Sequence, residues 1–131
     1  MAEVEKTEKI TLNLSVVDLG QIDLLVQEGF YANRTDFLRT AVRAQLALHA
    51  EALHRTVERK TMVLGLENYT RQQLEEVRAA GRQLQIRVLG LATIADDVTP
   101  DLALATIESV EVLGAFRASP AVKAALRPRT R

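Results

Sequence analysis

Cysteine is absent from the 131-residue chain. That excludes a disulfide framework, a thiolate metal site and a cysteine nucleophile. Tryptophan is absent as well, and aromatic residues make up 4% of the sequence, leaving little with which to stack unpaired bases. The two histidines, His49 and His54, are five residues apart, which on a helix turns them about 140° away from each other and spoils a metal pair. An excess of either charge is also missing: Lys+Arg and Asp+Glu are 17 each. The chain therefore does not coat nucleic acid or anionic membrane by bulk charge, although a local basic face stays open. No apolar run reaches the ~18 residues of a membrane span. Met1-Ala2-Glu3-Val4-Glu5-Lys6 is polar and acidic, unlike a signal peptide. The expectation is a soluble, cytoplasmic chain with no membrane partner.

What is present is apolar patterning: 47% of residues are hydrophobic, enough for one ordinary domain or two very small ones. Residues 1–8 are charged and without periodicity, and read as a flexible arm. Lys9-Ile10-Thr11-Leu12-Asn13-Leu14-Ser15 then alternates strictly. Ile10, Leu12 and Leu14 share one face, and Lys9, Thr11, Asn13 and Ser15 the other, as in a half-buried strand. Leu19, Ile22, Leu25 and Val26 follow at helical spacing, with Asp18 in the first turn and Gly29 as a left-handed cap. Asn33 is an N-cap that Asp36 can answer in a shortened capping box. From there Phe37, Leu38, Ala41, Val42, Leu46, Leu48 and Leu53 predict a helix running to about Lys60.

The lone strand is the informative feature. It has no hairpin partner to satisfy its backbone, and about 45 residues bury a core poorly. Antiparallel pairing with the same strand of a second copy solves both problems. In its order and spacing, the segment resembles the ribbon-helix-helix DNA-binding domain of the MetJ/Arc/CopG superfamily over residues 9–50. The resemblance is carried by Ile10-Thr11-Leu12-Asn13-Leu14, the Gly29 turn, Asn33-Arg34-Thr35-Asp36, and Phe37-Leu38-Arg39-Thr40-Ala41-Val42-Arg43. It implies a homodimer or higher homo-oligomer with Ile10, Leu12 and Leu14 in the dimer core.

The remainder has a different texture, with no nameable family. Val-Leu-Gly occurs at Val63-Leu64-Gly65, Val88-Leu89-Gly90 and Val112-Leu113-Gly114, and a fixed period of this size is a repeat signature. Each copy leads to a helix start: Thr70 with Gln73 as a capping box, then Thr99-Pro100 and Ser119-Pro120, each an N-cap followed by proline. Ile86-Arg87-Val88 and Val110-Glu111-Val112 alternate as strands. The expected unit is strand, glycine turn, short helix, next strand. The whole chain reads as α+β: an arm (1–8), a ribbon-helix-helix domain (9–60), a small solenoid-like β/α repeat domain (61–126) for oligomerisation or partner binding, and a basic tail (127–131) expected to be disordered.

Catalysis is hard to build from these residues. Asp96-Asp97 suits turn chemistry better than metal binding. The glycines form no phosphate loop, and Ser15, Ser109 and Ser119 have no neighbouring histidine. No enzyme, metal or cofactor is expected. DNA recognition is easier to build. A two-stranded ribbon fits the major groove, where Lys9 can donate to guanine, Thr11 can meet a thymine methyl, and Asn13 can pair with adenine. The helix start at Asn33, Arg34 and Thr35 can hold a phosphate. Residues 1–60 carry 8 basic against 9 acidic side chains, so electrostatic affinity per dimer is modest. The leading expectation is a sequence-specific transcriptional regulator, a repressor, on double-stranded DNA. The alternatives are an assembly or interaction protein that uses this domain only to dimerise, and the antitoxin of a toxin–antitoxin pair. The patterned C-terminal half departs from the short disordered toxin-binding tail of such antitoxins.

Overall fold

The computed structural model describes residues 6–131. Residues 1–5, most of the expected arm, lie outside the described residues. The chain divides into two compact units, residues 7–56 and residues 57–131 with Lys6.

In the first unit residues 9–15 pair with none of the described strands. Ser15 closes this segment and caps helix α1 (Val16–Gln27), its hydroxyl accepting the Asp18 N–H at 3.1 Å. Helix α1 ends where Gly29 takes φ +85. There the Gly29 N–H donates to the Val26 carbonyl at 3.1 Å and the Phe30 N–H to Leu25 at 2.9 Å. This paired pattern needs a left-handed residue, and glycine supplies it without a Cβ clash. Helix α2 spans Arg34–Leu48 and helix α3 spans Ala50–Lys60. The single helix expected as far as Lys60 is thus broken at His49. The His49 N–H turns back to Leu46 at 3.1 Å, and the ladder restarts with Leu53 donating to the His49 carbonyl at 2.9 Å. Neither proline nor glycine accounts for the break. Between residues 7 and 56 only Ile22 is buried.

The second unit is built on a different plan. Strands β1 (Val63–Tyr69), β2 (Leu84–Ile94) and β3 (Ile107–Arg117) form an open parallel sheet in the order β1-β2-β3. Between and after them come α4 (Arg71–Ala79), α5 (Pro100–Thr106) and α6 (Pro120–Leu126). Each helix begins at the expected cap. Thr70 and Gln73 form a full capping box, Thr99 accepts from the Leu102 N–H, and Ser119 accepts from the Val122 N–H. These caps satisfy N–H groups that a helix leaves without partners. Leu74, Leu102, Ala103, Val122 and Leu126 pack in one cluster with Ile86, Val88, Ala92, Ile94 and Val110. The helices therefore cover one face of the sheet. Thr106, the one buried polar residue among those described, donates its hydroxyl to the Leu102 carbonyl at 2.7 Å.

The three Val-Leu-Gly copies lie side by side. Val63, Val88 and Val112 are paired across the sheet, as are the three leucines and the three glycines. One expectation is corrected here. Gly65, Gly90 and Gly114 are not turns; they sit inside the strands at φ +130, +141 and +121. A Cβ on Gly90 would overlap the Gly65 carbonyl oxygen, and one on Gly114 would overlap that of Gly90. A second difference concerns the tail, which is docked. Residues 127–129 form a 3-10 turn, the Arg129 guanidinium donates to the Leu104 and Ile107 carbonyls at 2.7 and 2.8 Å, and Thr130 bridges in parallel to Val110 on β3.

Candidate nucleic-acid interface

The residues proposed to touch DNA all lie in the first unit. Lys9, Thr11 and Asn13 are exposed, as the outer face of a ribbon requires. Their apolar neighbours are exposed too: Ile10 is 83%, Leu12 62% and Leu14 36% accessible. No described residue of the chain covers the face that the alternation marks as buried. Leu24, Phe30, Val42, Leu46 and Leu48 are likewise exposed. So much apolar surface on a unit of this size calls for a covering surface.

At the start of α2 the geometry is tightly specified. Asn33 is extended, and its Oδ1 accepts the Asp36 N–H at 2.8 Å. Asp36 does not return the bond to Asn33, as a capping box would; its carboxylate takes the Ala32 N–H at 2.9 Å. The N–H groups of Arg34 and Thr35 then begin the helix with no acceptor one turn earlier, at the positive end of a 15-residue dipole. Arg34 is used differently from the sequence expectation. Its Nε and Nη2 hold both oxygens of Asp23 on α1 at 2.7 and 2.8 Å. This fork holds the Asp23 carboxyl below its ordinary range and raises the Arg34 guanidinium, in both cases chiefly through the hydrogen bonds. The pair ties α1 to the first turn of α2. The edge-on contact of Tyr31 and Phe37, 5.0 Å between ring centres, fixes the same turn.

Two cations escaped the sequence reading. Arg39 and Arg43 line an open groove of about 360 Å³ with Ala32, Asn33, Thr35 and Asp36. Thr35, Arg39 and Arg43 are spaced four apart, so they lie on one face of α2. That spacing was the available signal. Neither arginine makes an ion pair among the described residues. The groove therefore joins two unused helix N–H groups, a hydroxyl and two guanidinium groups, a set that suits an anion. Among the described residues no group of three or more His, Asp or Glu side chains could hold a metal, and no helix is long and apolar enough to cross a membrane.

Comparison with curated proteins and with solved structures found no match. The model of the ribbon-helix-helix transcriptional regulator family matches residues 5–123. That match takes in the alternating segment, α1 to α3 and the parallel sheet, far more than the third of the chain that carried the resemblance. The chain belongs to the ribbon-helix-helix transcriptional regulator family.

Proposed function

We propose that this chain is a sequence-specific, DNA-binding transcriptional regulator that works as a homodimer. Two copies pair residues 9–15 antiparallel, which buries Ile10, Leu12 and Leu14 and turns Lys9, Thr11 and Asn13 outward twice about the two-fold axis. The ribbon enters the major groove, where Asn13 reads adenine, Lys9 guanine and Thr11 a thymine methyl. Asn33 shapes the start of α2, and the Arg34 and Thr35 N–H groups clamp a phosphate. Arg39 and Arg43 supply the positive charge there, since the Arg34 guanidinium is held by Asp23. The carrying observation is the accessibility of Ile10 and Leu12, 83% and 62%, in an alternating segment that pairs with none of the described strands.

The C-terminal unit acts as an oligomerisation or partner-binding module. Its closed core argues against a disordered toxin-binding tail and so against the antitoxin reading. The assembly reading, in which the first unit only dimerises, draws support from the sheet edges, which no described residue pairs with beyond the bridge of Thr130 to Val110.

Binding to a duplex selected from random sequence, and to a scrambled duplex, tests the proposal across a salt series. Asn13→Ala is expected to cost ~1–3 kcal/mol per half-site on the selected duplex and to relax preference at one base in each half-site. Arg43→Ala is expected to weaken both duplexes alike and to flatten the salt dependence by about one charge for each arginine removed. If Asn13→Ala binds both duplexes as the parent does, the ribbon is not the reader, and the assembly reading takes its place.

A further inference from the structure

The sheet of the second unit has two edges that match each other. Each internal junction repeats one fit: the glycine carbonyl of one strand occupies the space where the next strand's glycine lacks a Cβ. At the outer edge of β3, Gly114 ends this row, and no described strand follows it. At the outer edge of β1, no described residue comes within 4 Å of where a Cβ on Gly65 would stand. One edge thus presents a carbonyl row and the other a glycine notch, both on the same Val-Leu-Gly triplet.

Thr130 and Arg131 bound the part of the β3 edge that is left open. Thr130 bridges to Val110, and the Arg131 N–H donates to the Val110 carbonyl at 2.8 Å. Both lie at the start of the β3 edge, and no described residue pairs with the outer side of that edge from Val112 onward. A strand beginning with valine opposite Val112 fits the edge beyond it, and β1 begins with Val63. β1 itself, Val63-Leu64-Gly65-Leu66-Glu67-Asn68-Tyr69, contains no proline and no lysine, two usual protections of an exposed edge; Lys6 lies beside its second half, near Leu66, Glu67 and Asn68, past the Val-Leu-Gly triplet. Leu64 and Leu66 are 72% and 55% exposed.

We infer that the sheet grows from copy to copy: the β3 edge of one chain accepts the β1 edge of a second copy in parallel, with Val112, Leu113 and Gly114 opposite Val63, Leu64 and Gly65. The contact is head-to-tail and repeats the internal strand junctions, so each added copy presents a fresh edge and a continuously twisting sheet extends as an open filament rather than a ring. On the face away from the helices, the row Leu64, Leu89, Leu113 continues into Leu64 of the next copy. This goes beyond the DNA reading and does not depend on it.

Sedimentation of the full chain without DNA tests it. The parent should grow through a concentration-dependent series past the dimer, with no fixed end-point. Leu64 and Leu113 are both exposed, so charges there spare the fold, as circular dichroism would verify. Leu64→Glu with Leu113→Glu sets like charges side by side at the junction and should raise the concentration for growth about tenfold or more. Leu64→Lys with Leu113→Glu should restore growth and make it salt-sensitive. A parent that stops at a dimer or tetramer at every concentration overturns the inference. So does a Glu/Glu variant that grows as the parent does. Because DNA is absent, a failed edge and a failed base reader give separate signatures.

Discussion

The two units solve the problem of burial in opposite ways. Residues 57–131 close a core within one chain: Leu74, Ile86, Val88, Val110, Val122 and Leu126 are fully buried, and the helix caps are all satisfied. Residues 7–56 have equally good caps at Ser15 and Asn33, yet they bury only Ile22. Local structure is therefore well specified in both, and what differs is where the apolar surface goes. In the C-terminal unit each strand is covered by the helices of its own chain. In the N-terminal unit the alternating segment and the apolar face of α2 need a second surface. A unit that cannot finish its core alone links folding to association, which suits the proposed ribbon, a reading element that two copies would form together.

The largest expected effect breaks this contrast at its source. Leu12→Asp places a charge at the seam of the proposed ribbon and should cost several kcal/mol. Sedimentation equilibrium should show the ribbon dimer lost, while the circular-dichroism signal of the parallel sheet persists. A stable dimer carrying Leu12→Asp contradicts the topology. The complementary change lies in the other unit. Ile86→Ala hollows the centre of the β2 face and should cost ~2–5 kcal/mol. Denaturation should show the sheet melting earlier, with binding to the selected duplex retained. If Ile86→Ala abolishes duplex binding at temperatures where the sheet remains folded, the division of labour is wrong.

How far each unit was legible in the sequence follows from the same physics. Caps are local chemistry, so Asn33, Thr70, Thr99 and Ser119 were readable, as was the Val-Leu-Gly period. The glycines were misread as turns because a sequence does not say where along a strand the positive φ falls. Gly90 inside β2 is required by a neighbouring carbonyl, a contact between residues 25 positions apart. The grip of Arg34 on Asp23 joins residues 11 positions apart across the turn between α1 and α2 and leaves no periodic trace. The groove with Arg39 and Arg43 had a trace in the i, i+4 spacing, but the helix start carried the stronger signal. The break at His49 had none.

A smaller effect sharpens the junction into the sheet. Helix α3 ends with Thr61 N–H on Glu58 and Met62 N–H on Val57, at 3.1 and 3.0 Å, the pattern that Gly29 closes after α1. Here the left-handed position is Thr61, at φ 55. A β-branched residue is strained there, so Thr61→Gly should stabilise the chain by about 1 kcal/mol. A raised thermal midpoint checks it, and a lowered one would show that the hydroxyl or methyl of Thr61 outweighs the strain.

The smallest effect concerns the fork between Asp23 and Arg34. Its side chains are 48% and 56% exposed, so solvent screens the pair and its contribution to stability is slight. The sign is nevertheless fixed. The folded-state pKa of Asp23 is depressed, chiefly by the hydrogen bonds from Arg34. Its contribution is therefore complete above the unfolded value of about 4 and is lost as pH falls through the depressed folded value. Asp23→Asn should lower the denaturation midpoint slightly at neutral pH, and this difference from the parent should vanish in acid. The same change releases the Arg34 guanidinium beside the unused N–H groups of α2. If that helix start clamps a phosphate, Asp23→Asn should bind scrambled duplex more tightly and with a steeper salt dependence, although it is the less stable protein. Weaker binding to scrambled duplex would mean that the fork matters by orienting α2 and that the freed charge does not reach the phosphate.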